Sequence, residues 1–149
     1  MKSDLISQYK QAGLPDGLAE KLAKGNISSS STIPVKRVVN QNEELFKFMP
    51  KDSKPGQSSY YFTKNEFERF KANPEKLAKE AGLPYQNFVG EYDVYKISPK
   101  QNKSPSVFES KVAEIEQGGY RAEGGAKQTI VPNLKDWKEP EKVGNVKAY

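Results

Sequence analysis

The sequence predicts an α+β domain: a small antiparallel or split sheet preceded by a short helical segment. Three observations carry this reading. Apolar residues at helical spacing occupy residues 3 to 25 and return after residue 63. Short alternating runs of Val, Phe, Tyr and Ile fill much of the rest, punctuated by Pro, Gly and Asn. At 149 residues the chain fits one domain large enough to bury a core.

Ser3 is a candidate cap for the first helix, with Leu5, Ile6 and Tyr9 on one face. Gly13-Leu14-Pro15 breaks it, Asp16 caps a second piece carrying Leu18 and Leu22, and Gly25 ends that piece. Ser28 to Thr32 reads as a flexible polar linker. A boundary placed there gives a helical lead over 1–30, expected to be dispensable for catalysis, and a second unit over 31–149. Strands are expected at Val35 to Val39, Glu44 to Met49 and Ser58 to Thr63. Thr63 stands three residues before Glu66, a capping-box spacing, and opens a helix with Phe67 and Phe70 on one face. Asn73-Pro74 restarts a helix that Gly82 ends, and Leu83-Pro84 begins a loop. Glu91 to Ser98 is a strand. Val107 to Ile115 fits either element: Phe108, Val112 and Ile115 suit a helix face, and Val107-Phe108 suits a strand. Asn133 to Trp137 reads as a turn, and Val143 to Val146 as a last short strand.

Composition narrows the chemistry. The chain has no Cys, which excludes disulfides and thiolate metal sites, and no His. Without imidazole there is no Ser-His-Asp triad, His-paired nucleophile or His-ligated zinc. Catalysis would fall to carboxylates, Lys, Arg, Tyr, Ser, Thr or Gln, and no metal site is expected. The net charge of +5 suggests an anionic partner (RNA, a dinucleotide or an acidic protein) or simply a soluble lysine-rich surface. No apolar run approaches the roughly 20 residues of a membrane-spanning helix, and the polar first residues give no signal-peptide pattern.

The stretch of most functional interest is Gly118 to Pro132, which holds four of the eleven glycines and closes on the β-prone run Gln128-Thr129-Ile130-Val131. Glycines beside a strand allow close backbone approach or positive φ. The run is either a wide hairpin loop or a binding site in which Gln128 is held on a stiff element. Lys47, between Phe46 and Phe48, is either a snorkelling surface residue or a cation at a site floor. Tyr60 and Tyr61, with Thr63 at the helix entry, either stack on a planar base or pack the core. Glu123 is either a catalytic carboxylate or a solvated loop charge.

From Val35 onward the chain resembles the C-terminal toxin domains of contact-dependent growth inhibition and related polymorphic toxin systems. The resemblance rests on Tyr95-Lys96-Ile97, Gly118-Gly119-Tyr120, Gly124-Gly125-Ala126-Lys127-Gln128, Ile130 to Asn133 and Trp137. Within that group, Gly124 to Gln128 is similar to the GGGxQ signature of the tuberculosis necrotizing toxin family. Leu45-Phe46-Lys47-Phe48 is similar to that family's Leu-x-Arg-Phe, and Tyr61-Phe62-Thr63 to its aromatic-hydroxyl segment. Lys47 stands in place of an arginine, and Ala126 in place of the third glycine.

The resemblance implies an ADP-ribosyltransferase-like fold and an NAD glycohydrolase that uses NAD as substrate, with no cofactor. It implies Gln128, Lys47 and Glu123 as catalytic residues, and Tyr61, Thr63, Gly124 and Gly125 as substrate-binding residues. It further implies secretion within a larger effector, action in the cytoplasm of a target bacterium, and neutralisation by a cognate immunity protein, with no membrane partner. The chemistry suits a chain without histidine. Nicotinamide leaves NAD as a neutral ring, so the enzyme need only stabilise an oxocarbenium-like ribose and place a water. The alternative is a metal-independent ribonuclease acting on tRNA, drawing on Lys96, Lys100 and Lys103; a non-catalytic binding module is a third possibility.

Overall fold

Leu5 and Tyr9, one helical turn apart, fix the first element. In the computed structural model, which describes residues 2–56, 58–81, 90–117 and 119–147, α1 spans Lys2–Gln11 and α2 spans Asp16–Ser28. α2 runs past Gly25, and the Ser29 N–H closes its last turn on the Gly25 carbonyl. Its buried face is Ala19, Ala23 and Asn26, while Leu18 is 42% exposed. Small side chains let the helix lie close to its neighbours, so the alanines mark the inner face, with Leu22 half-buried at its margin.

The strands are β1 (Val35–Val38), β2 (Leu45–Pro50), β3 (Tyr60–Thr63), β4 (Glu91–Ile97), β5 (Ser106–Lys111), β6 (Ile115–Gln117), β7 (Tyr120–Ala122), β8 (Lys127–Ile130) and β9 (Glu141–Lys147). Between β3 and β4 lie α3 (Lys64–Ala72) and α4 (Glu75–Glu80). Thr63 caps α3, accepting from the Glu66 N–H at 3.4 Å, as the capping-box spacing predicts. The expected stop at Gly82 and the loop at Leu83-Pro84 lie outside the described residues. The ambiguous stretch after Val107 is strand: β5 is an inner strand, so Val107 and Phe108 are buried on opposite faces. Leu134 to Trp137 makes the expected turn, with the Trp137 N–H on the Leu134 carbonyl.

Seven strands form one sheet in the order β1-β5-β8-β3-β2-β4-β9, every neighbouring pair antiparallel, and β6-β7 form a separate hairpin. The sheet is divided at β3. Tyr60 and Tyr61 pair with Ile130 and Thr129 of β8, whereas Phe62 and Thr63 pair with Phe46 and Leu45 of β2. β3 thus gives its first half to one half-sheet and its second half to the other. β2 continues to Pro50 with β4 alone beside it.

Each half-sheet has its own cover. On the face carrying Phe46, Phe48 and Phe62, α3 and α4 contribute Phe67, Phe70 and Leu77. Phe46 stacks on Phe67 at 4.3 Å, and Phe70 meets Phe62 and Phe48 edge-on. On the same face of the other half-sheet, Leu5, Tyr9, Ala19 and Ala23 of α1 and α2 cover Phe108 and Ile130. The opposite face buries Leu45, Tyr61, Ile97 and Val107 beneath Val131 and Trp137.

The serine run joins this assembly through its hydroxyl and backbone groups. Ser30 bridges to Val112, the Ser31 N–H donates to the Lys111 carbonyl at 2.9 Å, and Ser30 Oγ lies 2.8 Å from Ser110 Oγ. Tyr9 Oη donates to Asn26 Oδ1 at 2.6 Å and also meets Ser59 Oγ at 2.7 Å. Hydrogen bonds therefore cross the position at which the sequence suggests a boundary.

Candidate functional site

Where the half-sheets part, the chain leaves a cavity of about 540 Å³, within the range of small-molecule sites. Four consecutive residues of β2, Lys47 to Pro50, line it because that strand has lost its β3 neighbour and presents its edge. Ser28 and Ser29 at the end of α2, Ser58, Tyr60 and Phe62 around β3, Ala81 after α4, Val112 to Ile115, and Gln128 at the start of β8 complete the wall. The lining is aromatic and aliphatic with a few polar groups.

Three of the residues singled out in the sequence line this cavity: Tyr60, with Lys47 and Gln128 from opposite halves of the divided sheet. Lys47 does not snorkel; it is only 5% exposed. Its Nζ donates to the Tyr60 carbonyl at 2.7 Å and the Ser58 carbonyl at 3.3 Å. It also lies 4.4 Å from the centroid of the Tyr61 ring. Burial lowers its pKa to about 7, because the charged form loses hydration and nothing anionic replaces it.

Gln128 is buried and its orientation is fixed. Nε2 donates to Ser30 Oγ and Ser110 Oγ, both at 3.2 Å, and weakly to the Ser29 carbonyl at 3.4 Å. Because the carbonyl can only accept, the amide nitrogen faces it. Among the described residues none donates to Oε1, so the carbonyl oxygen is the group offered to a ligand.

The remaining predicted residues stand elsewhere. Tyr61 is wholly buried on the opposite face, under the Lys47 ammonium, and its burial raises the phenol to about 12. Strand alternation is the reason: Tyr60 and Phe62 turn to the cavity face, and Tyr61 and Thr63 turn away. Thr63 is occupied as the α3 cap. Glu123 is exposed and not part of the lining; the cavity's carboxylate is Glu114, exposed and ion-paired with Arg121. Gly124 and Gly125 also lie outside the lining. Their close approach is to the protein's own backbone. A Cβ on Gly124 would come within 2.6 Å of the Val112 and Ala113 carbonyl oxygens, and the Gly125 N–H donates to the Val112 carbonyl at 2.9 Å.

Sequence reasoning missed Ser29, Ser58, Ser110 and the segment 112–115. The serines carry no motif, and their roles come from strand register and from where α2 stops. Tyr60, which the sequence offered beside Tyr61, does line the cavity: its Oη meets Ser29 Oγ at 2.8 Å, and alternation puts it on the face of Phe62.

No family model matches the chain, and no curated protein matches it in sequence. Solved structures are similar to it. Tse6, determined in complex with Tsi6, has a TM-score of 0.54 at 12% identity over 91% of each chain. Rhs1-CT, determined with its cognate immunity protein RhsI1, has a TM-score of 0.48 at 17% identity over 77% of this chain and 85% of that one. The likeness to Tse6 is one of fold.

Proposed function

We propose that this chain is an interbacterial toxin domain that hydrolyses NAD, or transfers ADP-ribose from it, and is neutralised by a tightly bound immunity protein. The observation that carries the reading is the meeting of Lys47 and Gln128. These are the positions at which the sequence is similar to the two polar signature residues of the NAD glycohydrolase toxins, and they share one cavity across the divided sheet. The fold shared with Tse6, itself solved with a bound partner, supports the toxin and partner parts of the reading. We take the divided sheet as ADP-ribosyltransferase-like. Such a domain travels within a larger secreted effector and works in the target cell's cytoplasm. Among the described residues no helix is long and apolar enough to cross a membrane.

The roles follow from which groups are on offer. Gln128 Oε1 accepts a ribose hydroxyl, its amide nitrogen held by the three serines. A hydrogen bond from that hydroxyl strengthens as positive charge develops on the ribose in the transition state. Lys47 meets the pyrophosphate as a point charge. Phe48, Phe62 and Tyr60 supply the aromatic surfaces on which the planar rings rest. Tyr61 acts from below, through its ring face toward the Lys47 ammonium. Glu123, exposed and outside the lining, takes no part in this reading.

The test is incubation of the purified protein with NAD and, separately, with total tRNA. Nicotinamide release with intact tRNA supports the reading. Cleaved tRNA with unchanged NAD overturns it in favour of a ribonuclease.

A further inference from the structure

Among the described residues Lys47 is the buried cation, and it lacks a carboxylate. Arg37 is held by Glu43 and Glu109, Arg69 by Glu66 and Glu80, and Lys96 by Glu44. Among the described residues, Lys47 faces only the carbonyls of Ser58 and Tyr60 and the Tyr61 ring. Charged and titratable groups on the surrounding elements do not supply the missing charge. Tyr95, directly opposite on β4, is a phenol. Asp93, the next residue of β4 on that face, is taken up by the Asp52 N–H, Asn145 and Lys142. Glu114 across the cavity pairs with Arg121, and Lys127 beside Gln128 pairs with Glu109. An ammonium has three N–H groups, and two are spent on carbonyls. The third has the Tyr61 ring beside it and no anionic acceptor among the described residues, and Lys47 lines the cavity at the free edge of β2.

We propose that Lys47 makes the cavity a proton-linked anion site: an anion of the phosphate class seats against its ammonium, and the free protein takes up one proton from solvent as it binds. The inference rests on the reading above in setting Lys47 against the ligand, but not on turnover of NAD. An anion favours the charged lysine, while burial in the empty site favours the neutral one. With the lysine at about 7 in the free protein, the site is increasingly uncharged as pH rises above neutrality. Binding above that point must supply the proton, so affinity falls with pH and levels off on the acid side.

The probes are ADP-ribose and inorganic sulfate, whose pyrophosphate and sulfate groups stay fully ionised across the range tested. Titration calorimetry at pH 8, in two buffers of different ionisation heat, should show uptake of about 0.9 proton per ADP-ribose bound. Affinity should drop about tenfold per pH unit above about 7.5. Lys47→Arg, whose guanidinium stays charged, should bind with no pH slope. Lys47→Met should bind at pH 6 as weakly as the unaltered protein does at pH 9. If the arginine variant does not fold, the methionine variant and the proton count still decide the matter. ADP-ribose binding at a constant affinity across the range overturns the inference and leaves the NAD reading standing. Sulfate binding with the expected slope, and no binding of ADP-ribose, supports the inference and removes the NAD reading. Failure of both probes to bind overturns it.

Discussion

At the scale of single residues, Gly124 and Gly125 separate two reasons for glycine. Both have positive φ, at +72° and +94°. A Cβ meets two carbonyl oxygens at Gly124 and open space at Gly125. Gly125→Ala should therefore cost only the backbone strain, about 1–3 kcal/mol. Gly124→Ala should cost clearly more; equal melting temperatures for the two variants would refute the distinction. Gln128 has a double role. Gln128→Ala removes the donor that ties Ser29, Ser30 and Ser110 together, which should cost about 1–3 kcal/mol. It also removes the proposed ribose contact, which should lower NAD turnover by roughly 10²–10³-fold. Turnover measured well below the variant's melting temperature distinguishes the two, and near-normal turnover in folded protein would sink the assignment. Lys47 gives a pH dependence with a definite sign. Its folded pKa of about 7 lies below the ordinary lysine value of 10.5, so between those limits the unfolded chain binds more protons. Stability should therefore rise with pH from about 7 to 10, by on the order of 2–4 kcal/mol, and Lys47→Met should flatten the rise. Above that window Tyr61, raised to about 12, acts in the opposite direction. Denaturant titrations of both proteins at neutral and alkaline pH make the comparison.

At the scale of elements, most of the secondary structure was legible, because period-2 and period-3.6 patterns follow directly from which side chains are buried. β2, β3, β4 and the α3 cap form where alternation and the Thr63-Glu66 spacing place them. The same alternation also bears on the site, since it separates Tyr60 from Tyr61. The glycine stretch was the part least determined by pattern. It contributes Gln128 to the cavity, but its glycines serve the packing of 124–126 against 112–113. Such a contact joins segments on different strands, and no local spacing encodes it. The division of β3 between two partners is invisible for the same reason. Tyr60 to Thr63 reads as one strand, and only the pairing with β8 and β2 reveals that it serves two half-sheets.

At the scale of the whole molecule, the helical lead is part of the fold. α1 and α2 bury Leu5 and Tyr9 completely or nearly so and cover Phe108 and Ile130. At about 1.5–3 kcal/mol for each such side chain, their removal forfeits a sum comparable with the 5–15 kcal/mol by which domains are stable. It also takes Ser28 and Ser29 out of the cavity wall. Deleting residues 1–30 should therefore give an unfolded or aggregating protein, contrary to the dispensability that the serine run suggests. A cooperative melt and retained ligand binding in the truncated chain would restore that expectation. The divided strand has a further consequence, in the order of events during folding. Tyr60 pairs with Ile130, so closing this part of the sheet must wait until a long intervening chain has been made and brought back. β2, β3 and β4 come earlier in the chain and can associate sooner, but the opposite wall of the cavity comes from residues 112–115 and 128. During synthesis the cavity is thus among the later features to be assembled, and a nascent domain lacks it until residue 128 has left the ribosome.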